Sequence, residues 1–125
     1  MKPPVLLTKS KPKAAHLIQG EKSEDQAYDF LIGQGLQPVC RNYRCKLGEL
    51  DLIMKDQKSL VIIEVRYRKS DRYGSALESI TRAKQSRIIA ATHCYLSSKN
   101  KDIPLRFDVI AISGNGKLEW IQNAF

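Results

Sequence analysis

The sequence predicts a single α/β domain, a central mixed sheet with two helices packed on it, in the order α-β-β-β-α-β-β. Three observations carry this reading. Five short apolar stretches are each bounded by turn residues, and two longer stretches repeat their apolar residues at helical spacing. The chain of 125 residues is one domain's worth, long enough to bury a core without staples, and has no internal repeat.

Taken in order, residues 1–19 hold three prolines and four lysines with no helical or strand period, and read as a flexible basic tail ahead of a domain over 20–125. Ser23-x-x-Gln26 has the form of a capping box, and Ala27, Phe30 and Leu31 supply an apolar stripe, so a first helix is expected over about 21–33, stopped by Gly33 and Gly35. Strands follow over 37–44, 49–55 and 60–68, the last rich in β-branched residues, with Asp56-Gln57-Lys58-Ser59 as a hairpin turn. After a polar loop at 69–74, Ser75-x-x-Glu78 is a second box form opening a helix over about 76–97. Its apolar face holds Leu77, Ile80, Ile88, Ala91 and Tyr95, with Lys84 in the middle. Strands at 105–112 and 118–122 flank a tight turn at Gly114-Asn115-Gly116.

Composition narrows the classes of function. Lys and Arg outnumber Asp and Glu by 21 to 13, a formal charge of +8, which favours polyanionic partners. The tail carries part of that excess, and the remaining residues hold 17 basic against 13 acidic groups. The longest purely aliphatic run, 60–63, is far short of the roughly 20 residues of a membrane span, and no signal peptide is visible. Three cysteines make no disulfide framework, and reduced thiols fit the cytoplasm. Cys40 with Cys45, and His93 with Cys94, lack the spacing of a zinc site, and the cysteines read as buried or half-buried thiols. No nucleophile elbow and no phosphate loop occur.

Alternation along the strands puts Glu49 and Asp51 on one face, and Glu64, Arg66 and Arg68 on one face of the next strand, whose other face (Val61, Ile63, Val65, Tyr67) is core. A hairpin closed about Gln57 and Lys58 sets Asp51 opposite Glu64, and Glu49 opposite Arg66. Two carboxylates side by side repel unless something positive lies between them. A hard divalent cation, Mg²⁺ or Mn²⁺, is one answer, because it takes carboxylate oxygens and keeps water positions for a substrate phosphate. Arg66 and Arg68 would then contact phosphate, as phosphodiester hydrolysis needs. The bland alternative is a surface salt-bridge ladder. Lys84 either snorkels to solvent or aims its ammonium over the acidic site. Glu24 either serves the helix dipole or adds a third carboxylate.

The runs Gly48-Glu49-Leu50-Asp51-Leu52-Ile53 and Val61-Ile62-Ile63-Glu64-Val65-Arg66-Tyr67-Arg68 resemble the YraN family of uncharacterised, endonuclease-like bacterial proteins. Arg41-Asn42-Tyr43-Arg44, Arg106-Phe107-Asp108-Val109 and Asn123-Ala124-Phe125 extend the resemblance, as do Glu24 with Ala27 and Lys84 with Arg87-Ile88. It covers about residues 20–125 and implies a restriction-endonuclease-like fold, as in Holliday-junction resolvases. In that superfamily an Asp, then Glu-x-Lys on the next strand, form the metal site. The resemblance therefore implies Asp51 and Glu64 as metal ligands with Glu24 as the helix-one acid, and Arg66 at the usual lysine position. Arginine stays charged and cannot be a base, although it can hold phosphate or stabilise developing charge. Three functions are thus expected to compete. The first is a metal-dependent nuclease using Asp51, Glu64 and Arg66, with Arg66, Arg68 and Lys84 on phosphate. The second is a non-catalytic nucleic-acid-binding module on the same fold. The third is a protein-interaction scaffold.

Overall fold

Five strands, β1 (Gln37–Cys45), β2 (Gly48–Asp56), β3 (Ser59–Arg68), β4 (Leu105–Ser113) and β5 (Leu118–Ile121), form one sheet in that spatial order. A computed structural model describes residues 14–69, 75, 77–97, 99 and 102–125. All neighbours run antiparallel except β3 and β4, which are parallel and therefore need a crossover connection. The described residues of that crossover include a 3₁₀ turn (Leu77–Ser79) and the helix α2 (Arg82–Leu96); the helix α1 (Ala15–Gly33) precedes the sheet. The architecture is the expected α/β arrangement with the expected order.

The sheet separates two cores. On one face Ala27 and Leu31 of α1 pack on Leu52, Met54, Val61, Ile63, Ile110 and Ile112. On the other, Ile88 and Ala91 of α2 pack with Leu50, Ile53, Leu60, Ile62 and Val109. β3 is apolar on both sides because helices cover both, the reason its sequence is nearly continuous in aliphatics. Among the described residues no helix is long and apolar enough to cross a membrane.

Two helix boundaries differ from expectation. α1 begins at Ala15, so residues 15–19 belong to the helix and not to a tail, while residues 1–13 lie outside the described residues. Ser23 is consequently buried inside the helix, where its hydroxyl accepts from Gln19 Nε2 at 3.2 Å, and caps nothing. Leu17 and Ile18 stay exposed, so the first turns bury no stripe that periodicity would detect. The second box does form: Ser75 N–H donates to Glu78 at 2.8 Å, and Glu78 N–H to Ser75 Oγ at 3.1 Å. It opens only the 3₁₀ turn, however. Thr81 Oγ1 caps α2 itself by accepting from Lys84 N–H at 3.2 Å, which delays the helix to Arg82.

Gly48 sets how closely α2 lies on the sheet. A Cβ there would come within 3.2 Å of the Arg87 carbonyl oxygen. Gly48→Ala is expected to destabilise the protein by about 1–3 kcal/mol through overpacking, read as a lower urea midpoint with an unchanged slope. Gly20→Ala, in α1 with nothing within 4 Å of the new methyl, should move the midpoint upward. A midpoint for Gly48→Ala at or above the wild type would disprove the tight approach.

Candidate metal and phosphate site

The β2–β3 hairpin has the expected register: Asp56 pairs with Ser59, and the ladder continues through Leu52 and Ile63. It ends there. In place of the next rung the Asp51 carboxylate accepts the backbone N–H of Val65 at 2.9 Å. β2 also turns over at this point, because Leu50 lies in the α2 core while Leu52 and Met54 lie in the α1 core. Asn42 on β1, with φ of 54°, lies between the Arg41–Leu52 and Tyr43–Leu50 pairs that flank the turnover. Strict alternation fails for this reason, and Glu49 does not meet Arg66. It pairs instead with Arg44 at 3.2 Å.

Asp51 and Glu64 do come together. Glu64 is only 5% exposed. Burial, then the negative charge of Asp51, pushes its carboxyl up to about 8, against the opposing pull of Lys84. Asp51 is also raised, by burial first, against the bonds from Val65 N–H and Glu64 and the charge of Lys84. Both carboxyls are raised because a buried and a half-buried carboxylate side by side cannot both ionise cheaply.

Lys84 does not snorkel away. α2 presents it over the pair, with Nζ 3.3 Å from Glu64 Oε2. Arg66 is mainly committed to the crossover. Its Nε donates to Ser79 Oγ at 3.0 Å and Nη2 to the Ser79 carbonyl at 3.3 Å, while Nη1 stands 3.7 Å from Glu64 Oε2. Arg68 reaches further along the same connection, to the Ser75 carbonyl at 3.3 Å. Both arginines therefore anchor the segment that leads into α2, a role that strand alternation does not reveal.

Glu24 projects from α1 toward the same region. Burial raises its pKa, then the Asp51 charge; a hydrogen bond from Asn42 and the charge of Arg41 oppose the rise. It lines a cleft of about 400 Å³ with His16, Leu17, Gly20, Glu21, Asn42, Arg44 and Glu49. Sequence reasoning passed over Asn42 as a site residue, although asparagine tolerates the left-handed conformation it adopts here.

The donor chemistry suits a hard cation. Among the described residues no three His, Cys, Asp or Glu side chains are gathered closely enough to hold a metal by themselves. Two adjacent carboxyls, with a third acid within their field, are the donors taken by an ion that binds one or two protein carboxylates and keeps its other positions for water and phosphate.

A further acid, Asp108, is structural. Asp108 is fully buried and accepts from Arg106 Nε at 3.0 Å and Nη2 at 2.9 Å, from Trp120 Nε1 at 2.9 Å and from Asn123 N–H at 3.1 Å. Arg106 bridges on to Asp56 at 3.0 Å. Ala124 N–H donates to the Phe107 carbonyl at 2.7 Å, and Phe125 stacks on Phe107 with centroids 5.2 Å apart. The Arg-Phe-Asp and Asn-Ala-Phe motifs thus meet as one fastening between β4 and the residues after β5.

The chain is similar to UPF0102 proteins of several bacteria. It is 50% identical to one from Saccharophagus degradans over 114 residues, covering 90% of this chain and 96% of that protein. It is 48% identical to one from Nitrosococcus oceani over 119 residues, covering 90% and 94%. A relative from Pseudomonas entomophila is 45% identical over 120 residues, covering 91% and 98%. The model of the uncharacterised protein family UPF0102 matches residues 23–112, a span that contains Glu24, Asp51, Glu64, Arg66, Lys84 and Asp108. The chain therefore belongs to the uncharacterised family UPF0102, the YraN family.

Proposed function

We propose that the protein is a divalent-metal-dependent phosphodiesterase acting on DNA or structured nucleic acid. The observation that carries this reading is the Asp51 and Glu64 carboxyls side by side, with the Lys84 ammonium 3.3 Å from Glu64. Carboxyls with raised pKa values beside a fixed cation cluster at functional sites. Asp51 and Glu64 would hold Mg²⁺ or Mn²⁺, with Glu24 as the third acid. When bound, the ion supplies a lowered water pKa and neutralises phosphate charge.

The protein's own groups do the rest. Lys84 contacts the phosphate and offsets its charge, a task that the resemblance gives to a lysine on β3, where this chain has Arg66. Arg66 remains charged and holds the crossover against the site through Ser79, leaving its Glu64-facing nitrogen to steady the carboxylate. Arg68 lies at the margin, where backbone phosphates of a bound strand would pass.

The test is calorimetric titration with Mg²⁺ and Mn²⁺, followed by a cleavage assay on linear and branched DNA. Asp51→Asn is nearly isosteric and its amide oxygen can still accept Val65 N–H, so the fold is expected to persist while ion binding and cleavage are lost. Binding that survives in Asp51→Asn would refute the assignment. A second reading, a non-catalytic nucleic-acid-binding module, draws on the engagement of Arg66 by Ser79. It expects salt-sensitive binding without cleavage in any divalent metal, and metal binding gained only in Arg66→Lys.

A further inference from the structure

Three free cysteines converge on Tyr43, two of them in contact, on the face of the sheet that α2 covers. Cys45 ends β1, at the turn where it pairs with Gly48; Cys94 lies in the last turn of α2. The Tyr43 hydroxyl donates to Cys94 Sγ at 3.3 Å, and Tyr95 meets the Tyr43 ring edge-on with centroids 5.2 Å apart. Burial pushes the Cys45 thiol up, yet bonds from Leu47 N–H, the Cys94 side chain and Gly48 N–H outweigh it and bring the thiol below its ordinary range. A sulfur cradled by turn amides is held toward its thiolate, the reactive form, and a second thiol is in contact with it. Both cysteines are half-buried, which leaves a path for a small reagent.

We propose that Cys45 and Cys94 form a reversible disulfide when the protein meets a small hydroperoxide, with Cys45 as the attacking sulfur and Cys94 as the resolving thiol. In the first step the Cys45 thiolate attacks the peroxide oxygen. The O–O bond breaks, Cys45 keeps one OH as a sulfenic acid, and the other oxygen of hydrogen peroxide leaves as hydroxide that takes up a proton to form water. In the second, Cys94 Sγ attacks the Cys45 sulfur and the S–O bond breaks. The departing hydroxide carries off the Cys94 proton as a second water. Two thiols are oxidised and one peroxide is reduced to two waters. The new bond staples the β1–β2 turn to the end of α2 and closes a loop that contains Asp51, Glu64 and Lys84. Cys40 has no part in it.

The experiment treats the reduced full-length protein with hydrogen peroxide, alkylates the remaining thiols and maps the peptides by mass. The expected result is loss of two of the three thiols, a Cys45–Cys94 cross-linked peptide lighter by two hydrogens, alkylated Cys40, and full reversal by dithiothreitol. Loss of Cys45 should outpace that of free cysteine at the same pH. Cys94→Ser should instead accumulate a sulfenic acid on Cys45 that dimedone traps, and Cys45→Ser should keep Cys94 reduced. Consumption of Cys40 first, cross-links only between chains, or thiol loss no faster than free cysteine would each overturn the proposal. The wild-type peptide map decides the matter even if a variant fails to fold.

Discussion

Asp108→Ala is expected to destabilise the protein by about 3–5 kcal/mol, the cost of leaving a buried partner charge uncompensated. Removing this carboxylate strands the Arg106 guanidinium, the Trp120 indole N–H and the Asn123 backbone N–H together. Arg106 would keep its ion pair with Asp56, at the rim of the network, and its place over the Trp120 ring. A loss of that size takes a large part of the 5–15 kcal/mol by which a typical domain is stable. It should lower the melting temperature by about 10–20 °C. Asp108→Asn should lie between, because an amide oxygen accepts only part of what two carboxylate oxygens accept. Arg106→Met in the Asp108→Ala background should recover part of the loss by removing the orphaned charge. Thermal melts of the single and double variants check this, and additive losses would mean that the two residues do not act as a unit.

The second large effect is on how stability depends on pH. In the unfolded chain Glu64 ionises at its ordinary value near 4.5, whereas the folded chain keeps its proton to about 8. Between those values the native state binds more protons than the unfolded state, so metal-free stability falls as pH rises. The slope approaches about 1.4 kcal/mol per pH unit within the window, and the contribution is fully present below it. Asp51 and Glu24 are shifted in the same direction and add to the trend. Glu64→Gln stays neutral throughout and should flatten the curve, becoming more stable than the wild type near pH 8. Urea midpoints at pH 5 and pH 8 in chelator decide it; parallel curves for the two proteins would contradict the buried-pair account. Under the proposed function, Mg²⁺ should reverse the trend, since ion binding requires the proton to leave.

Much of this was legible because apolar pattern and geometry agree. Val61, Ile63 and their partners fix which side of the hairpin is buried, so the Gln57–Lys58 turn sufficed to place Asp51 beside Glu64. What the pattern missed lies where side chains take over from the ladder. Asp51 uses its carboxylate to bond Val65 N–H, β2 turns over beside Asn42, and Glu49 is carried to Arg44 instead of Arg66. The start of α1 escaped because Leu17 and Ile18 bury nothing decisive. The position of Lys84 on its helix was readable, but its direction depends on Glu64, a residue on another element. Asp108 could be noticed only as part of a motif, since its partners come from positions 106, 120 and 123.

The parallel pairing of β3 with β4 bears on the order in which the molecule assembles. β1, β2 and β3 form a meander of hairpins with short loop closures, which can zip on a fast local timescale. Asp51 and Glu64 are neighbours within that early meander, still hydrated and free to ionise. Lys84 arrives only when the crossover has placed α2 and β4 has joined β3, a step with a longer loop to close. Loop closure thus favours an order in which the acidic half of the site forms before its basic half, and the pairing of the two carboxylates is then answered by a cation that comes last.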